Sequence, residues 1–221
     1  MLGVTLLNMA SLAWQYYLLD DVQKNPENID MQKLQASDTI RTAISIGQLI
    51  ILLLSMIFFI MWFRRAYFNL HQLSFNNARY DEGWAAGAWF VPVINLFYPY
   101  QIMADIWKGK QNAIRERFGE PQSVALVGWW WAAYLINNFF AYISSFVTKE
   151  ADGVEGLMRA SVIEAISEII SVIAIIITIR LIIKVSSFEK ELDIHAQTPD
   201  DSIFSDNYTP PTETNIPNTE N

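Results

Sequence analysis

Apolar residues in this chain run in long uncharged stretches, not in the short amphipathic periods of a water-soluble helix bundle. Thr42–Phe63 is the clearest, 22 residues without a charge, bracketed by Arg41 and Arg64. A hydrocarbon core takes about 20 residues of helix, so this stretch is long enough to cross one. Leu2–Leu19 is a second, closed by Asp20 and Asp21. Ser123–Thr148 is a third. It begins with Trp129, Trp130 and Trp131, whose amphipathic rings favour the headgroup level, and ends at Lys149 and Glu150. Ala160–Ile183 is a fourth, with Arg180 and the following Lys184 placed to reach an interface along their alkyl stems. The pattern predicts an all-α integral membrane protein with four transmembrane helices.

A further segment, Trp84–Met103, has 20 uncharged residues and is broken by Pro92, Asn95 and Pro99. Each proline removes a backbone donor and turns the residue before it, Val91 or Tyr98, away from helix. Asn95–Tyr98 is therefore predicted to reverse the chain between two arms, each about 13 Å long. A re-entrant hairpin of this kind makes the number of crossings even. It puts the N-terminus, the 64–82 and 108–120 loops and the C-terminal tail together on the cytoplasmic side. A fifth span is the alternative. Both topologies place ten of the fifteen Lys and Arg inside, so charge asymmetry does not separate them. The prolines favour the hairpin, and irregular backbone at membrane depth requires the other helices to cover it.

Polar residues fall in stripes. Thr42–Phe63 with its flank carries Arg41, Ser45, Gln48 and Ser55. Ser123–Thr148 carries Tyr134, Asn138, Ser145 and Thr148, and the last stretch carries Ser161, Glu164, Glu168, Ser171 and Thr178. Spacings of three and four put each set on one helix face, and in lipid such a face turns inward. The stripes are expected to converge on one polar seam. In the plain account these side chains join helices at about 0.6 kcal/mol per hydrogen bond. In the sharper account they line a path for a solute or ion. Glu168 bears on the choice, because the uncharged run after it, Ile169–Ile179, has only 11 residues and cannot span alone. Arg41 is the expected partner of Glu164, with Gln48 or Asn138 the expected partner of Glu168.

The net charge of -8 adds little about partners, since Glu191–Asn221 holds seven Asp and Glu and no Lys or Arg. With Pro199, Pro210, Pro211 and Pro217 and little apolar area, that tail is predicted to be disordered. The expected division is a helical membrane domain at 1–190 and an acidic tail at 191–221. The absence of cysteine excludes disulfides, thiolate catalysis and thiolate metal ligation. Leu2–Leu19 lacks a basic leader and contains Trp14, Gln15, Tyr16 and Tyr17, which suits a retained span better than a signal peptide. His71 and His195 have no second ligand at metal spacing, so neither a metal nor a cofactor is expected. Asp81, Glu82 and Asp105 read as solvated loop ends, without a nucleophile nearby in sequence. Gly83 and Gly87 form a G-x-x-x-G that permits close helix approach or relieves crowding beside Trp84. The basic clusters at Arg64, Arg65, Arg79 and at Lys108, Lys110, Arg115, Arg117 suit anionic headgroups rather than nucleic acid.

One set of residues has a recognisable order: Trp62, Arg65, Asn69, then Gly83-Trp84, Gly87, Trp89-Phe90-x-Pro92, Asn95, Pro99-Tyr100 and Ile106-Trp107, followed by the tryptophan cluster. Over about Ile40–Ile183 it resembles the bacterial membrane family known as domain of unknown function 4328. The resemblance implies a multi-pass protein of the bacterial inner membrane, with Trp84, Trp89, Pro92, Asn95, Pro99, Tyr100 and Trp107 as its hallmark. It implies no ligand and no reaction. Two classes of function follow. One is a non-enzymatic module that binds membrane lipids, a protein partner or a second copy through the broken segment and the tail. The other is a small transporter or channel subunit whose path is lined by Glu168, Gln48 and Asn138.

Overall fold

The apolar stretches become helices that extend well past their uncharged parts. The computed structural model describes residues 1–27, 29–72, 78–118 and 123–197. Among them the helices are α1 (Leu2–Lys24), α2 (Met31–His71), α3 (Trp84–Gly87), α4 (Tyr98–Phe118), α5 (Ala125–Glu150) and α6 (Gly153–Gln197), with a 3-10 turn at Ile94–Leu96 and no strand. α2 has 41 residues and α6 has 45, about 60 and 65 Å at 1.5 Å per residue. Hydrophobicity marks only the middle of such helices; their polar outer turns are good helix formers and are held by neighbours at both ends. α6 accordingly passes the expected domain boundary at Lys190 and continues to Gln197. The rest of the acidic tail lies outside the described residues.

Local chemistry sets the corners. Pro26 lacks a donor and biases Asn25 out of helix, which ends α1. The Asp30 carboxylate caps α2 by accepting the Lys33 backbone N–H at 3.2 Å. Between α5 and α6 the chain reverses in two residues, Ala151 and Asp152, and Gly153 takes φ +65°, a conformation that a Cβ would penalise.

Helix directions follow from cross-helix pairs. Asn8 meets Glu168 and Gln15 meets Ser161, so α1 and α6 are antiparallel. Arg41, Gln48 and Asn69 meet Glu164, Glu168 and Glu189, so α2 runs parallel to α6. With its two-residue corner and an Asn137–Ser171 contact, α5 is antiparallel to α6. The C-terminus of α2 and the N-terminus of α5 therefore lie at one end of the bundle, the Glu189 end. Everything between them begins and finishes there. The 108–120 stretch, expected as a loop, is the second half of α4 as far as Phe118.

α2 and α6 are long and apolar enough to cross a membrane, with mean hydropathies of 2.6 and 2.5 over their most apolar stretches. α1 and α5, with 23 and 26 residues, are long enough. Asn8 and Gln15 in α1, and the Trp, Tyr and Asn of α5, dilute their hydropathy, so four spans reduce to two on this measure. None of the most apolar stretch of α2 is buried by the rest of the chain; Leu53, for example, is 51% exposed and Phe58 66%. The buried interior is split. At the Glu189 end it is mainly apolar, built from Phe63, Leu70, Ile106, Trp107 and Phe188, with Asp105 and Lys110 also buried there, whereas toward the other end the polar Thr5, Asn8, Ser11 and Glu168 are buried as well as Leu12 and Ala160.

Candidate functional site

Two arrangements hold the residues that the sequence singles out. The first is the broken segment. α3 is one turn long, a turn and the 3-10 helix follow, and α4 starts at Tyr98 with Pro99 in its first turn, where a missing N–H costs nothing. The second arm is thus the start of a 21-residue helix, not a short half-helix. The segment closes on itself: Tyr98 stacks on Tyr80 at 4.1 Å and meets Trp84 edge-on at 5.4 Å. At its deepest, Trp89 stands edge-on to Phe59, Phe63 and Tyr134 at 5.6, 5.8 and 5.7 Å. Asn95 makes a long 3.5 Å contact to the Tyr134 hydroxyl. The Asn95 carbonyl oxygen and the indole nitrogens of Trp62 and Trp89 are buried without a partner. Pro92 is exposed and Pro99 buried, Tyr100 is half-buried, and Trp107 is buried edge-on to Phe188 at 5.3 Å. Phe90 and Val93, each 70% exposed, with Phe97, give the segment an apolar outer side.

Behind it lies an ionic base. Arg79 donates its backbone N–H to one oxygen of Asp105 and forms an ion pair through Nε with the other, each at 3.2 Å. Asp105 is 4% exposed, so it is not the solvated loop end its sequence context suggested. Burial pushes its carboxyl above the ordinary value, and the Arg79 N–H and guanidinium, with Lys108, pull the other way. Lys110, read as a headgroup-facing base, is buried instead and pairs with Glu189, which also accepts from Asn69 at 3.1 Å. The G-x-x-x-G has no packing role: a Cβ on Gly83 meets nothing within 4 Å, and on Gly87 only Trp84 Cε3 at 3.9 Å. The close approach is at Gly109, where a Cβ would collide with Leu70 Cδ1.

The second arrangement is the polar seam. Arg41 and Glu164 form an ion pair at 2.8 Å, both side chains about four-fifths covered. Glu168, 8% exposed, accepts on Oε1 from Gln48 at 2.9 Å and from Asn8 at 2.7 Å. Asn138 is not part of it. That side chain is exposed and donates to the Tyr134 carbonyl at 2.8 Å, and its neighbour Asn137 turns inward to accept from Ser171 at 2.7 Å. The stripe expected on α5 takes the outward one of two adjacent asparagines and is out by one residue. Asn8 was missed altogether. The signal was present as Thr5, Asn8, Ser11 and Gln15, spaced three, three and four along α1. Beside the seam, a shallow open groove of about 440 Å³ runs along α2 past Asp38, Arg41, Thr42 and Ser45.

The family model for the domain of unknown function 4328 (DUF4328) matches residues 25–187. The chain belongs to this family. The match spans the aromatic hairpin, Arg79, Asp105 and Lys110 of its ionic base and the α2 and α6 sides of the seam, while Asn8 lies before the DUF4328 region and Glu189 after it. No curated protein and no solved structure matches the chain.

Proposed function

We propose that this DUF4328 protein is a multi-pass protein of the bacterial inner membrane, a non-enzymatic module in which four helices carry a hairpin that binds lipid or a protein partner. The observation that carries the membrane reading is the apolar surface of α2, which no other helix covers. Arg41 and Arg64 are about 35 Å apart along α2, and Glu164 and Lys184 about 30 Å apart along α6. Both lengths match a hydrocarbon core of about 30 Å. α1 and α5 complete the bundle as the two less apolar spans, with their polar faces turned to α6. Trp89 packs on Phe59, five residues before Arg64, so the hairpin dips roughly 8 Å below that arginine. Its exposed Phe90, Val93 and Phe97 then lie where acyl chains, a partner's helix or a second copy would contact them.

Single-cysteine labelling tests the topology, because the chain has no cysteine of its own. Cysteines at Arg65, Arg79 and Lys108, which are exposed at the Glu189 end, are expected to react with an impermeant thiol reagent from the same side, and one at Lys24 from the other. Opposite labelling of Arg79 and Lys108 would overturn the hairpin in favour of a fifth span. Photo-crosslinking from Phe90 and Phe97 reads the occupant: a lipid or protein adduct supports the binding role, and neither would remove it. The second reading, a transporter or channel subunit, is favoured by one observation, the ionisable groups of the seam buried between α1, α2 and α6.

A further inference from the structure

Glu168 is satisfied on one side only. Oε1 takes both amide donors, from Asn8 and Gln48, while Oε2 is buried with no partner. The carbonyl oxygen of Asn8 is likewise buried and unpartnered, and Asn8 is only 3% exposed. The Asn8–Glu168 hydrogen bond joins the two side chains that carry these oxygens. Two buried acceptors on directly paired side chains, one of them a carboxylate oxygen, call for a positive or hydrogen-donating group beside them. Arg41, the cationic side chain of the seam, pairs with Glu164 through Nη2, and its Nε is buried without a partner. Among the described residues Glu168 forms no ion pair.

From this geometry we infer that the seam holds an alkali-metal cation, coordinated by Glu168 Oε2 and Asn8 Oδ1. A hard monovalent ion takes carboxylate, amide and hydroxyl oxygens, and the buried Thr5 and Ser11 lie one turn to either side of Asn8 on α1. One carboxylate balances one positive charge. Among the described residues no three His, Cys, Asp or Glu come together as a group that could hold a metal ion, so the site would rest on one carboxylate and neutral oxygens. The ion would tie α1 to α6 at the bundle's polar end. This inference rests on the seam alone and stands or falls independently of the hairpin's partner.

The test uses the full chain in detergent at fixed pH. Radioactive sodium is expected to bind the wild-type protein at one site, competed by NaCl and not by choline chloride. Tm is expected to rise in NaCl or KCl over choline chloride of the same ionic strength. Glu168→Gln keeps the shape and removes the charge, and should weaken sodium binding about tenfold or more. Asn8→Ala removes the second oxygen and should weaken it too, so the site is still probed if the glutamine variant fails to fold. No sodium bound by the wild-type protein, or equal binding by Glu168→Gln, overturns the site. A Tm that follows pH but ignores alkali ions also overturns it, since a proton or a water would then fill the gap.

Discussion

Glu168 shows how one buried side chain joins three helices. Its Oε1 gathers the amides of Asn8 from α1 and Gln48 from α2, donors that would otherwise stay unpaired in the seam. Glu168→Leu leaves both amides unpaired and is expected to lower stability by about 1 to 3 kcal/mol, while Glu168→Gln keeps an acceptor and should cost less. Thermal unfolding in detergent ranks the two, and equal midpoints would place the carboxylate in water. Asp105 behaves in the opposite sense to a paired surface acid, because burial outweighs Arg79 and raises its carboxyl above 3.8. A carboxyl raised in the folded state takes up a proton on folding between its unfolded and folded values. Its contribution is thus fully present below 3.8 and is lost as pH rises through the raised value. Asp105→Asn removes that dependence. The stability of the wild-type chain relative to the variant should fall as pH is raised across this window, and a constant difference would contradict the burial argument.

At the scale of elements, Gly109 decides how closely α4 approaches α2. Leu70 is fully buried, so a side chain at position 109 has to push it into a packed core. Gly109→Val is expected to cost about 1 to 3 kcal/mol in unfolding measurements. Gly83→Ala, where a Cβ meets open space, should stay within about 0.5 kcal/mol of wild type. The sequence pointed to the other glycine motif because G-x-x-x-G is a spacing rule and cannot say which face meets a neighbour. The same limit explains Asn138. A helical wheel fixes relative angles but not the absolute rotation of α5, which depends on packing against α6. What was legible followed from strong local chemistry: the prolines and Asn95 predicted the break and its return, and the uncharged runs predicted the helices α1, α2, α5 and α6. The pairing of Arg41 with Glu164 and of Gln48 with Glu168 was legible too, because those residues stand at matching depths. The Asp105 and Lys110 ionic base was not. Both sit in a charged stretch that reads as solvated until α4 is folded against α2 and α6.

At the scale of the whole molecule, the surroundings of α2 are the decisive question, and one substitution asks it directly. Leu53 is 51% exposed in the middle of the apolar stretch. In water, replacing a half-exposed surface leucine by lysine would change stability by no more than about 0.5 kcal/mol. At the centre of a bilayer the same change carries an insertion penalty of about 3 kcal/mol. Leu53→Lys is therefore expected to lower the amount of membrane-inserted protein and its thermal midpoint in detergent. Lys33→Gln, at the exposed start of the same helix, should leave both unchanged. The uncovered face of α2 and the apolar side of the hairpin make one argument here, since each is a surface that water alone would not stabilise. A Leu53→Lys chain with normal yield and normal unfolding would mean that water or another polypeptide, not lipid, lies against α2, and the transmembrane assignment of the bundle would fall with it.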